Sequence, residues 1–273
     1  MPCVRRGAGQ QVIQADGRLL ESHAGRAPSI KRRSLTPVPL GHRNAKVKYL
    51  LLPGLDGTGK LFEPFLASAP ANSSCEVVSY PIDRQMSYAE HAKSVCTNLI
   101  PGEPFVIVAE SFSGPVAVLV ASAQPPNLVG LVLCNTFVYR AAWRGFSYLP
   151  WAWLFRFPVT TLTTGIHLTG FRKASRFVSS IRAANANVSP NVRAHRLRAA
   201  LNVDVRERFG SLETPVMYLR GLHDRLVFSS CVRHVKDARP STIIVHVPGP
   251  HLLFQVEPER SWQEVSAFVS NKC

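Results

Sequence analysis

Short apolar runs of strand length alternate with helix-length segments over most of this chain, and that alternation restricts the fold more than any other feature. Segments 46–52, 75–80, 105–110, 129–134, 215–220 and 242–247 read as strands, with helices expected near 59–68, 88–100, 114–124, 227–237 and 258–270. Ser87-Tyr88-Ala89-Glu90 is a capping box that opens the second helix, and Pro101-Gly102 closes it. Strands alternating with helices imply a mostly parallel α/β sheet covered on both faces. At 273 residues and 46% hydrophobic content, one large core is expected. Residues 46–137 and 211–273 form that core domain; 138–210 break the alternation and read as a helical insertion.

The apolar run Phe105-Val106-Ile107-Val108-Ala109 leads through Glu110 to Ser111, then to Phe112-Ser113-Gly114-Pro115 and a helix. A serine held on a sharp strand-to-helix turn exposes its hydroxyl, provided the residues two before and two after it are small. Ala109 and Ser113 meet that need. A serine hydroxyl becomes nucleophilic only when a base takes its proton, so a carboxylate and then a histidine are sought downstream. Asp224 lies just past the strand that ends in Arg220-Gly221, and His251 follows the next strand in Pro248-Gly249-Pro250-His251. In an open parallel sheet the carboxyl ends of the strands face one crevice, so Ser111, Asp224 and His251 are expected at a shared edge. The oxyanion of an acyl-transfer intermediate needs two N–H donors. The Phe112 N–H is one candidate; the other is the Leu55 N–H in Pro53-Gly54-Leu55-Asp56-Gly57.

With these pieces the chain resembles the α/β-hydrolase family from about residue 46 to 273. The matching motifs are Pro53-Gly54-Leu55-Asp56-Gly57, Ala109-Glu110-Ser111-Phe112-Ser113-Gly114, Arg220-Gly221-Leu222-His223-Asp224-Arg225 and Gly249-Pro250-His251. The family usually has His-Gly in place of Pro53-Gly54, and Gly-x-Ser-x-Gly in place of Ala-x-Ser-x-Ser. The resemblance implies an α/β-hydrolase fold with residues 138–210 as a cap. A serine nucleophile points to the ester, thioester and amide branches. The expectation is a serine carboxylesterase that needs no cofactor and no metal, acting on small hydrophobic short- or medium-chain or bulky aromatic esters. An acyltransferase or thioesterase on the same scaffold is the alternative.

The insertion carries Trp143, Phe146, Tyr148, Trp151, Trp153, Phe155 and Phe157. Trp143, Trp151 and Trp153 are candidate substrate-binding residues if this group lines an acyl pocket; otherwise the group packs the insertion onto the core. The apolar stretch is too short for a membrane span, which leaves interfacial attachment open.

The chain has a net charge of +15, unevenly spread. Residues 138–210 hold twelve Arg or Lys against Asp204 and Glu207, and residues 1–48 hold ten against Asp16 and Glu21. Attraction to anionic membrane or nucleic acid is one reading, and a non-catalytic basic binding protein is its extreme form. No nucleic-acid motif accompanies the charge, so solvated arginine is favoured and no nucleic-acid partner is expected. The basic segment 1–45 is expected to be poorly structured; a hairpin about Asp16-Gly17 and a transit peptide are weaker readings. Six cysteines without metal spacing read as reduced thiols of a cytoplasmic protein.

Among competing motifs, Gly54 to Lys60 fits a phosphate loop until Leu61, which stands where Ser or Thr must bind magnesium. His223 and His246 read as structural, Glu110 precedes the serine and is expected to point elsewhere and support the site from behind rather than act as the acid, and the Asn135 amide cannot act as the acid.

Overall fold

The computed structural model describes residues 47–71, 73–99, 102–156 and 174–273. The basic segment 1–45 and the hairpin expected about Asp16 lie outside the described residues.

Six strands form one sheet: β1 (Lys48–Leu52), β2 (Ser74–Val77), β3 (Phe105–Glu110), β4 (Leu128–Cys134), β5 (Val216–Gly221) and β6 (Ile243–Val247). Their spatial order is β2-β1-β3-β4-β5-β6, and every adjacent pair is parallel. From β1 the chain winds outward to β2 and then returns to the other side of β1 as β3. The strand order therefore reverses between β1 and β3, where a crevice opens at the carboxyl ends. The loop after β1 carries Gly54 to Gly57 and the turn after β3 carries Ser111.

Side chains alternate across the sheet with the two-residue period of a strand. Leu50, Leu52, Ile107, Ala109, Leu131, Leu133 and Tyr218 enter the core on one face, against α2 (Tyr88–Thr97) and α3 (Gly114–Ser122). Tyr49, Leu51, Val106, Val108, Val132, Met217 and Leu219 enter the core on the other, which α1 (Glu63–Ala67) and a C-terminal helix cover. Strands apolar on both faces are what a doubly covered parallel sheet demands.

Between β4 and β5 the described part of the insertion contributes α4 (Trp151–Leu154), α5 (Ala174–Asn185), α6 (Pro190–Asn202) and α7 (Arg206–Gly210). Backbone bonds close its neck: Arg140 N–H donates to Val203, Ala141 N–H to Ala200, and Val205 N–H to Val138. Phe177 and Ile181 of α5 pack on Leu252 and Val256, so this helix lies over the segment that follows His251. After β5 come α8 (Ser229–Ala238), β6, the short α9 (Leu253–Val256) and α10 (Pro258–Lys272).

Most boundaries fall within a few residues of expectation. The clearest difference is β2, expected over 75–80 but ending at Val77. The Tyr80 N–H instead reaches across to the Gly57 carbonyl at 2.7 Å, which draws this stretch out of the ladder and onto the loop after β1. The helix expected over 59–68 divides into a 3₁₀ turn at Lys60–Phe62 and α1, because Pro64 has no N–H to extend one regular helix across the junction.

Candidate active site

Ser111 follows β3 directly and has φ +51, a left-handed conformation that a non-glycine residue adopts only where its surroundings enforce it. Three contacts enforce it here. The Thr136 hydroxyl donates to the Ser111 carbonyl. Ser113 Oγ–H donates to the Pro53 carbonyl and accepts from Tyr80 Oη at 2.7 Å. The third is close packing: a methyl group built on Gly114 would lie 2.1 Å from Thr136 Oγ1, so only glycine lets the helix start this near β4. The serine that stands where the family favours glycine is thus used, its hydroxyl tying the turn to the end of β1.

The structure brings Ser111, His251 and Asp224 together. His251 Nε2 lies 2.9 Å from Ser111 Oγ, and His251 Nδ1 lies 2.9 Å from Asp224 Oδ2. Asp224 Oδ1 accepts the N–H groups of Leu226 at 2.8 Å and Val227 at 3.0 Å, so both oxygens of this buried carboxylate are occupied and its rotation is blocked. Burial alone would raise the Asp224 pKa, but the His251 charge and these hydrogen bonds outweigh it and hold the carboxyl below its ordinary range. For His251, burial acts to lower the pKa, while the charge and hydrogen bond of Asp224, with the charge of Glu110, raise it above the usual 6.5. The arrangement therefore favours an imidazolium that has just accepted a proton.

Gly54 to Gly57 form a turn in which the Gly57 N–H donates to the Gly54 carbonyl at 3.1 Å, with Gly57 at φ +72. In a trans peptide the N–H points opposite to the C=O. The Leu55 N–H is consequently directed out of the turn, and no acceptor among the described residues takes it or the Phe112 N–H. A methyl group built on Gly54 would sit 3.9 Å from Ser111 Cβ, so the 54–57 turn runs close to Ser111.

A cavity of about 230 Å³ lies elsewhere, lined by Lys48, Phe105 and Tyr80 among others. Among the described residues no cluster of His, Cys, Asp or Glu could hold a metal ion, and no helix is long and apolar enough to cross a membrane.

No protein-family model and no curated protein sequence matches the chain. Solved structures do match. A hydrolase from Pseudomonas aeruginosa PA01 superposes with a TM-score of 0.70 at 17% identity, over 82% of this chain and 90% of that one. The enol-lactonase from Burkholderia xenovorans LB400 gives 0.71 at 16%, over 85% and 94%. An esterase from Rhodococcus sp. ECU1013 gives 0.70 at 20%, over 83% and 91%. The chain has the α/β-hydrolase fold.

The other candidate residues of this α/β-hydrolase fold occupy different settings. Trp143 and Trp153 are 74% and 55% exposed on the insertion, so neither is enclosed around the Ser111 hydroxyl. Trp151 is half-buried, stacks on Phe155 and donates its indole N–H to the Phe146 carbonyl at 2.7 Å. The aromatic group packs mainly on itself and on α6.

Glu110, expected to support the site without acting as its acid, is buried behind it. Its Oε2 would lie 3.9 Å from a methyl group on Gly54, and it accepts from Gln255 Nε2 at 3.2 Å. Burial pushes its pKa up to about 7, opposed by the His251 charge and the Gln255 hydrogen bond.

Asn135, set aside as unable to act as the acid, has a different task. Its Oδ1 accepts the Gly221 N–H at 2.7 Å, and its Nδ2 donates to the carbonyls of Pro250 at 3.0 Å and His251 at 2.8 Å. The sequence held one signal for it, an amide side chain at the carboxyl end of a central strand. His223 and His246 are both exposed.

Proposed function

We propose that the protein is a carboxylic ester hydrolase that works by two-step acyl transfer through Ser111, His251 and Asp224. Ser111 Oγ attacks the ester carbonyl carbon as His251 Nε2 takes its proton, and Asp224 holds the resulting imidazolium. The Leu55 and Phe112 N–H groups receive the oxyanion. Collapse of the tetrahedral intermediate breaks the ester C–O bond, and His251 returns its proton to the leaving alcohol. Water, deprotonated by His251, then attacks the acyl-serine, and the acid departs as Ser111 regains its proton.

The observation that carries this reading is the pair of 2.9 Å contacts that link hydroxyl, imidazole and carboxylate in series. The left-handed Ser111 backbone supports it, since such strain persists only where the surroundings hold it and is concentrated at functional sites. A small hydrophobic ester is the proposed substrate. An acyltransferase uses the same first step and differs in excluding water from the second.

The deciding experiment is labelling with a fluorophosphonate followed by peptide mapping. Modification at Ser111 supports the assignment, and an unlabelled Ser111 in folded protein refutes it. Hydrolysis of p-nitrophenyl esters from acetate to palmitate then measures the acyl pocket, and added alcohol separates transfer from hydrolysis.

The exposed aromatics support a second, peripheral role for the insertion. Trp143, Phe146 and Tyr148 are exposed beside Arg144, a combination of amphipathic rings and a cation suited to an anionic lipid surface.

A further inference from the structure

Helix α6 is amphipathic in an unusual way. Val192, Arg196 and Ala200 follow one another at a spacing of four, all buried, so an arginine occupies the centre of the apolar stripe. Arg196 is 1% exposed. An uncompensated buried guanidinium is costly, so its partners indicate what it does. Nη1 donates to the carbonyls of Leu55 at 3.0 Å and Asp56 at 2.7 Å, and Nη2 donates to the carbonyl of Pro81 at 2.8 Å. All three acceptors are backbone groups more than 110 residues away in sequence, and two belong to the turn that presents the Leu55 N–H. Gly57 leaves room for the fork, since a methyl group there would lie 2.3 Å from Nη1.

These bonds join in series. The Arg196 fork donates to the Asp56 carbonyl; the N–H of the same peptide group, on Gly57, donates to the Gly54 carbonyl; and that peptide group ends in the Leu55 N–H. A cation at the head of two linked peptide dipoles polarises each in turn and strengthens the final donor. We propose that Arg196 is a positioning residue for the oxyanion site, fixing the 54–57 turn and polarising the Leu55 N–H through the Gly57 and Gly54 peptide groups. The inference rests on the proposed ester hydrolysis for its kinetic consequence, but not for its structural one. It also makes the insertion part of the machinery, because the arginine that sets the turn belongs to α6.

The test compares Arg196→Met, Arg196→Lys and the control Arg198→Met, an exposed position on the same helix. Folding is checked by circular dichroism and thermal unfolding. On p-nitrophenyl butyrate, Arg196→Met is expected to lower kcat by about 100-fold or more, the usual effect of losing an oxyanion donor, with KM changed less than about threefold. Arg196→Lys, a point cation without the planar fork, should fall between Met and the native residue. Arg198→Met should be unchanged.

Hydrogen exchange of the peptide covering residues 53–59 is the readout independent of turnover. It should lose protection in Arg196→Met while β3 and β4 keep theirs. A folded Arg196→Met with kcat within threefold of native, or with unaltered exchange at 53–59, overturns the proposal. Failure of both Arg196 variants to fold overturns it too, by assigning the residue to stability alone. If native Ser111 resists the fluorophosphonate, ester hydrolysis fails as a reading, and the exchange measurement still decides whether Arg196 holds the turn.

Discussion

The Asn135 side-chain amide donates to the main-chain carbonyl of His251 at 2.8 Å, so the His251 imidazole is held by its backbone as well as by Asp224. Asn135 is buried and also binds Gly221 and Pro250. Asn135→Ala leaves a buried N–H and two carbonyls without their partner, each costing about 1–3 kcal/mol. The expected result is a Tm lowered by several degrees and a kcat lowered about tenfold or more, read by calorimetry and ester hydrolysis.

Ser111→Ala and His251→Ala should each reduce kcat by roughly three to six orders of magnitude with the fold intact, and the double variant should be little worse than either. Residues acting as one unit are not additive. Full additivity of the two losses would separate them into independent contributors.

The pH profile follows from the charge around His251. The base must be neutral, so kcat/KM rises with pH through the His251 pKa, and its acid limb should centre above 6.5. Asp224 is the largest influence raising that pKa, so Asp224→Asn should move the limb down and lower kcat by about 10⁴-fold. Glu110→Gln should move the limb down by a smaller step. A larger kinetic loss in Glu110→Gln than in Asp224→Asn would mean that Glu110, and not Asp224, is the acid.

Glu110 also sets a pH dependence of stability. Its folded pKa of about 7 lies above the ordinary 4.5, so across that interval the folded chain keeps a proton that the unfolded chain has lost. Stability therefore falls as pH rises from 4.5 through about 7. Glu110→Gln should remove this fall, on the order of 3 kcal/mol, when urea unfolding at pH 4.5 and 8.5 is compared with the native chain.

The basic aromatic face of the insertion should bind vesicles of phosphatidylglycerol and release from them at about 0.5 M salt, with little binding to phosphatidylcholine. Cosedimentation of the native chain and of a Trp143→Ala, Tyr148→Ala variant measures this. Equal binding by both would remove the aromatic rings from the interaction.

Much of this molecule was legible in the amino-acid order alone. Strand and helix periods are local properties, so the α/β alternation and the interruption at 138–210 could be read directly. Once the sheet was known to be parallel, its geometry required the loops after β3, β5 and β6 to meet at one edge, which is why Ser111, Asp224 and His251 could be singled out beforehand. The tertiary structure decided which buried polar groups serve that edge. The stripe Val192-Arg196-Ala200 marks a buried helix face, yet nothing local says that its arginine meets carbonyls 140 and 141 positions earlier. Nor can local order reveal that Asn135 binds the His251 carbonyl, that Glu110 is buried behind the serine, or that Trp143 and Trp153 face outward. Burial and hydrogen-bond pairing are relations between distant segments, fixed only when the packed chain brings them into contact.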